Sequence, residues 1–328
     1  MSETSPDVSR ETKDANAVTI DDLLHHRVIL VLGKGGVGRT SVAAALANLA
    51  AARGMRTLLM ETDPRIPIAT SHSRKSTFRP IELAPQLWAM LLDRQESLEE
   101  YLGFVVARPL LRAVFASKLY QYFVHAAPAV RELLMMGKIY HEIERRPANL
   151  PRWDLIIVDL PASGQALKML GMPFAARETF GPNLVGREAT EVARLFRDSA
   201  KCAILIVTTV DHLALTETLD IHRQLAALEL ATAAIAFNRT TAAAFDEAAI
   251  SSMLRRAAPA DASEDIAALA RIARGELNRR KRERRAFGIL KRRIGVPIIQ
   301  LAEQRGVCGS TLATRLANQL MAGVGRVA

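Results

Sequence analysis

Gly33-Lys34-Gly35-Gly36-Val37-Gly38-Arg39-Thr40-Ser41 decides how the rest of this 328-residue chain is read. A continuous apolar run, Val28–Leu32, leads into it, and an Ala- and Leu-rich stretch, Ser41–Arg53, leaves it. Strand, glycine-rich turn and helix in that order are the context of a phosphate-binding loop. The glycines let successive backbone N–H groups curl around an anion, and the helix N-terminus adds positive potential. Gly33 through Ser41 are therefore the nucleotide-binding candidates. Thr40 would present its hydroxyl to Mg²⁺, the hard cation that accompanies nucleotide phosphates.

Short apolar runs recur on either side of the loop at Thr57–Met60, Leu155–Val158, Ala203–Val207, Ala233–Phe237 and Pro297–Leu301. Each reads as a strand buried on both faces, as in parallel sheets. Helical stretches alternate with them at Gln165–Leu170, Leu213–Leu228 and Ser310–Leu320. The pattern predicts an α/β fold, a mostly parallel P-loop NTPase sheet flanked by helices with right-handed crossovers. It would occupy residues 28–328, behind a disordered polar tail over 1–27.

Nearly a hundred residues separate the second strand from Leu155, far more than an ordinary connection. Inside that span Leu111, Val114, Phe115, Leu119 and Phe123 keep helical spacing, and so do Val130, Leu133, Leu134, Gly137 and Tyr140. An inserted helical subdomain over about 100–150, with 174–198 as a second candidate segment, accounts for both stripes. Two readings stay open: the stripes pack on the sheet, or part of them forms a groove for a client helix.

Composition excludes several classes. Hydrophobic residues make up 49% and charged residues 24%, which suits a globular protein rather than a disordered one. Cys202 and Cys308 are too few for a disulfide scaffold or a structural zinc, so no zinc is expected. A polar, acidic start and the lack of any apolar run near 18 residues argue for a cytoplasmic chain that is not transmembrane. The net charge is +10, but segment 271–293 alone holds eleven Lys/Arg against two Glu. Its stretch Asn278–Arg285 has no apolar side chain, so it reads as a solvated face. It suits contact with an anionic surface better than nucleic acid, because the aromatic interleaving of single-strand binders is missing.

Here a resemblance enters. The form K-G-G-V-G-x-T resembles the deviant Walker A loop of the family that includes ArsA-type arsenite-pump ATPases, tail-anchored-protein targeting ATPases and ParA/MinD-like ATPases. In that family the early lysine, here Lys34, reaches the nucleotide held by the other subunit. The resemblance therefore implies ATP, Mg²⁺ and a dimer, either a homodimer or a heterodimer with a related ATPase. Arg39 stands where the Walker lysine belongs. It keeps the charge but is larger and planar.

Two segments resemble the ArsA branch in particular. Glu61-Thr62-Asp63-Pro64 is similar to its switch I, which makes Asp63 the candidate to orient the attacking water; Asp-Pro after a strand is also an ordinary turn opener. The family's following A-H-N is replaced by Arg65-Ile66-Pro67. Asp159-Leu160-Pro161-Ala162-Ser163-Gly164 is similar to its Walker B and switch II. By that resemblance Asp159 holds the metal's water shell, Pro161 and Gly164 belong to switch II, and Gln165 replaces a histidine. Asn238, after the strand ending at Phe237, corresponds to the family's adenine reader, although an asparagine capping a strand end would look the same. The implied activity is a dimeric ATPase that binds and hydrolyses ATP to switch a client-binding helical surface. The alternatives are a nucleotide-binding pseudo-ATPase subunit, motivated by Arg39, and a ParA-like polyanion binder using 271–293. Widely spaced cysteines and a single P-loop argue against arsenite sensing.

Overall fold

The computed structural model describes residues 20–63, 77–105, 128–145, 150–241, 247–256 and 264–322. Residues 1–19 of the expected tail, the replaced segment Arg65-Ile66-Pro67 and the stripe Leu111 to Phe123 lie outside the described residues.

One eight-stranded sheet organises the chain. Its strands are β1 (Val28–Gly33), β2 (Thr57–Glu61), β3 (Ile81–Ala84), β4 (Leu87–Leu91), β5 (Leu155–Asp159), β6 (Cys202–Thr208), β7 (Thr232–Thr240) and β8 (Ile298–Ala302). The order is β3-β4-β2-β5-β1-β6-β7-β8, parallel except for β3 on β4. The six expected strands are all present. β1, β2, β5 and β6 are buried at every position, which is why their sequences read as unbroken apolar runs. Register sets Val31 against Asp159 and Gly33 against Val207, so the loop after β1 rises between the tips of β5 and β6.

Period-two alternation sorts the strand side chains into two cores. Ile29, Val31, Ile157, Leu205 and Val207 pack under α2 (Arg39–Ala52) and α10 (Gly309–Met321). Leu30, Leu32, Val158, Ile204 and Ile206 pack under the opposite layer. That layer contains α4 (Pro128–Glu144), α5 (Ser163–Phe180), α6 (Leu184–Arg197) and α7 (His212–Ala227). The basic segment lies on α9 (Glu264–Arg293), which follows α8 (Glu247–Arg256). Its Ala286 and Leu290 cover Ile235, Phe237 and Ile298 at the β7–β8 end of the sheet.

Three features depart from the sequence expectation. Residues 20–24, placed in the tail, form a short helix, α1 (Ile20–Leu24), whose Leu23 and Leu24 are buried against the α2 core. A hairpin, β3–β4, lies in the long connection and precedes its described helices; Trp88 of β4 meets Trp153 with ring centroids 5.2 Å apart. Finally, the α4 stripe is rotated. Met135, Met136, Ile139 and Ile143 face the sheet, Leu133 meets Ala176 and Ala189, and Leu134, Gly137 and Tyr140 are only half-buried.

Helix α3 (Arg94–Val105) is fastened to α4 by a buried ionic node. Lys138 Nζ donates to Glu100 at 2.8 Å and to Glu142 at 3.0 Å, and Glu142 also accepts from the Trp153 indole at 3.0 Å. Burial alone would raise the Glu142 pKa. The Trp153 hydrogen bond and the charges of Lys138 and Arg152 outweigh it and hold the carboxyl below its ordinary value.

Candidate functional site

The phosphate loop is shaped by two close approaches. A side-chain carbon on Gly33 would lie 2.3 Å from the Val207 carbonyl oxygen, so β6 leaves room only for glycine. Gly38 takes φ +95°, and a carbon there would lie 2.4 Å from the Asn238 amide nitrogen. Asn238 is buried and its Nδ2 donates to the Val37 carbonyl at 2.8 Å. Its amide thus clamps the loop from below, and Asn238 is not among the residues facing the cavity above. Gly38 also caps α2 without any side-chain hydrogen bond, so the amides of the first turn stay available to an anion.

That cavity, about 820 Å³, opens over the loop and falls in the range of small-molecule sites. Gly35, Gly36, Gly38, Arg39, Thr40 and Ser41 line it from the loop and α2, and Thr62 and Asp63 from the end of β2. Asp159, Leu160, Pro161, Ala162 and Gln165 line it from the end of β5. Three segments distant in sequence therefore meet at the carboxyl ends of neighbouring strands, where open α/β sheets bind ligands.

Thr40 Oγ1 donates to Asp159 Oδ2 at 2.6 Å, while Asp159 Oδ1 is buried with no hydrogen-bond partner among the described residues. Thr62 Oγ1 donates to the Asp159 backbone oxygen at 2.8 Å and so ties the β2 and β5 tips together. Burial pushes the Asp159 carboxyl up to about 6; the Thr40 hydrogen bond and Arg39 oppose that rise, and the Asp63 charge adds to it. A buried carboxylate in so unfavourable a setting, with one oxygen unsatisfied among the described residues, is of the kind that a cation would stabilise. Thr40 and Asp159 could hold Mg²⁺, which takes a sparse set of protein oxygens where phosphates and water complete its shell.

Other expected residues are placed less simply. The Arg39 guanidinium turns toward switch II and donates to the Leu160 carbonyl. Lys34 is half-buried, does not line the cavity, and makes no side-chain hydrogen bond or ion pair with described residues. Gly164 sits in the first turn of α5 outside the lining, beside Ser163, whose hydroxyl donates to Glu217 of α7.

Sequence reasoning missed several lining residues. Asp93 and Arg94 open α3; Asp93 caps that helix, accepting from Gln95 N at 2.8 Å and Glu96 N at 2.9 Å. An aspartate immediately before a helical stretch is the signal that points to it. Gly309, Ser310 and Ala313 line the cavity from the start of α10, and Arg239 from the end of β7.

Residues 26–186 match the family model described as anion-transporting ATPase. The chain is 31% identical over 224 residues to the ATPase BagA of Mycobacterium tuberculosis, covering 65% of this chain and 65% of that protein. It is 28% identical over 160 residues to the putative arsenical pump-driving ATPase 1 of Aquifex aeolicus, covering 45% of this chain and 38% of the relative. With the ATPase ASNA1 homolog 1 of Paramecium tetraurelia it shares 26% identity over 147 residues, 44% of this chain and 43% of the relative. The chain thus spans less than two thirds of each of these relatives, but the matched part holds the loop and both carboxylate-bearing strand tips. The parallel sheet and the loop geometry agree with these matches, which place residues 26–186 in the ArsA-type ATPase family.

Proposed function

We propose that the chain is a nucleotide-gated ATPase that works as a dimer. The observation that carries this reading is the Thr40–Asp159 pair with its unpartnered buried oxygen, set beneath an open glycine loop. In this reading the loop amides and Ser41 hold the phosphates, Thr40 and Asp159 hold Mg²⁺, and Asp63 orients the attacking water. Bound Mg²⁺ would neutralise phosphate charge as the terminal bond breaks. Leu160, Pro161 and Ala162 follow Asp159 directly into α5, so a shift at the phosphates would be felt in that helix, and Gly164 in its first turn would move with it. Asp93 and Arg94 link the same cavity to α3 and, through the Lys138 node, to α4, the part of the helical layer proposed to meet a client helix.

The test is titration calorimetry with ATP, with and without Mg²⁺, followed by phosphate release for the wild type and for Asp63→Asn. Tight Mg²⁺-dependent binding and turnover that Asp63→Asn abolishes are expected. Binding that ignores Mg²⁺ would sink the reading. The Arg39–Leu160 bond favours a second reading, a pseudo-ATPase subunit of a heteromeric complex, since the guanidinium is engaged away from the phosphates. Binding without turnover, restored by Arg39→Lys, is its signature. Contact with an anionic surface through α9 is compatible with either reading. Lys281, Arg284, Arg285 and Arg292 line one shallow groove of about 530 Å³ on that helix.

A further inference from the structure

Arg239 occupies an unusual backbone position. The β7–β8 register slips between Asn238 and Thr240, because Asn238 faces Leu301 and Thr240 faces Ala302, which leaves Arg239 as the extra residue of a bulge. Its φ is +57°, in the left-handed region that a long side chain seldom adopts. Bulges next to ligand sites re-aim a side chain, and strain of this kind persists only where neighbours hold it.

The neighbours do hold it. Arg279 of α9 donates from Nη2 to the Arg239 carbonyl at 2.8 Å and from Nη1 to Glu303 at 2.9 Å. Glu283 accepts from the Thr241 amide at 3.0 Å and the Thr241 hydroxyl at 2.7 Å, which pins the chain just beyond the bulge. The backbone is fixed from both sides, yet among the described residues the Arg239 guanidinium makes no hydrogen bond or ion pair. It lines the cavity above the phosphate loop.

Its flank of the cavity decides what it meets. The carboxylates Asp63 and Asp159 stand on the β2 and β5 side of the loop, whereas β7 lies two strands away on the other side of β1. In the nucleotide reading the terminal phosphates and metal sit at Thr40 and Asp159, and the nucleoside extends to the opposite flank, toward β7 and the start of α10. Arg239, Gly309 and Ser310 bound that end. Asn238, one residue earlier, has its amide committed to Val37.

We propose that Arg239, presented by the β7 bulge, covers the nucleobase with its guanidinium plane and is the base-binding residue of this site. The inference rests on the nucleotide reading above. Stacking on an aromatic ring needs a flat cation and no particular base edge. Arg239 therefore contributes affinity for nucleotides in general rather than a choice between adenine and guanine.

The experiment compares binding of ATP, GTP and tripolyphosphate, all with Mg²⁺, to the wild type, Arg239→Gly and Arg239→Lys. Glycine accepts the positive φ, so the first variant should fold, which a thermal melt verifies. The expected result is a roughly tenfold loss for both ATP and GTP with Arg239→Gly and unchanged tripolyphosphate binding. Arg239→Lys keeps the charge but not the plane and should lose most of the same affinity. Unchanged ATP binding in Arg239→Gly, a parallel loss of tripolyphosphate, or full affinity in Arg239→Lys would each overturn the proposal. Failure of the wild type to bind ATP or tripolyphosphate would instead overturn the nucleotide reading itself.

Discussion

The Thr40 hydroxyl donates to one oxygen of Asp159 across 2.6 Å and leaves the other oxygen buried, without a partner among the described residues. The residues come from the start of α2 and the end of β5, 119 positions apart. Asp159→Asn should separate stability from binding. The amide carries no charge to desolvate, so the ligand-free protein should gain about 1–2 kcal/mol. Affinity for ATP with Mg²⁺ should fall about 10–100-fold and lose its metal dependence. Thermal melts with and without Mg²⁺-ATP measure both; a variant that Mg²⁺-ATP still stabilises as strongly as the wild type would exclude Asp159 from the metal site.

Arg39 joins the glycine loop to the segment after β5 through the Leu160 carbonyl. Lysine is a point charge on a flexible stem and cannot reproduce that forked reach. Arg39→Lys should free the Leu160 carbonyl, direct charge to the phosphates and raise phosphate release about tenfold or more. No gain in a protein that already hydrolyses ATP would mean that the arginine serves catalysis as it stands.

Asn238 and Gly38 are fitted to each other, with the Asn238 amide where a Gly38 side chain would be. Asn238→Ala should remove the Val37 carbonyl's partner, loosen the loop and weaken ATP and tripolyphosphate alike, by about tenfold. Loss of ATP binding with tripolyphosphate intact would return Asn238 to the role of base reader. Gly38→Ala should lose both ligands, since its φ of +95° is strained for alanine as well.

Glu142 is fully buried and holds Lys138 and the Trp153 indole together. Glu142→Gln leaves Lys138 with Glu100 as its remaining carboxylate and should cost about 3 kcal/mol. The sign of the pH effect follows from the lowered pKa. The carboxylate contributes its full stability above the ordinary glutamate value of about 4.3, and that stability is lost as pH falls through the lower folded value. Wild-type melting temperature should therefore drop on acidification below that point with a slope that Glu142→Gln reduces. Equal slopes would show that other carboxylates govern the acid limb.

The readable parts of this fold were those where a residue's environment follows from its immediate neighbours in sequence. Central strands such as β1 and β5 are buried on both faces, so an apolar run identifies them. The strand β3 is buried at none of its four positions and has no such run. The α4 stripe was recognisable as helical, but only contact with the sheet selects Met136 and Ile139 over Leu134 and Gly137 as its buried face. In the site, the loop and both aspartates were legible as motifs. Arg239 was not, because its bulge exists only through the register of β7 on β8. The turn of Arg39 toward Leu160 likewise depends on two segments meeting in space.

Lys34 gives the sharpest test of the dimer. It begins the loop, yet it does not line its own cavity and has no ionic partner among the described residues. A lysine placed there without a task in its own subunit suits one that reaches a nucleotide held by a second copy or a related chain. Lys34→Ala should then leave ATP binding to the monomer within about threefold of wild type, since Lys34 does not line its own cavity and a partly solvated charge contributes little on its own. It should also abolish any increase in mass seen by light scattering when a non-hydrolysable ATP analogue replaces ADP. If the wild type gains mass with the analogue and Lys34→Ala gains it equally, another residue carries the contact between subunits. If neither changes mass, alone or mixed with a related ATPase, the dimeric switch fails.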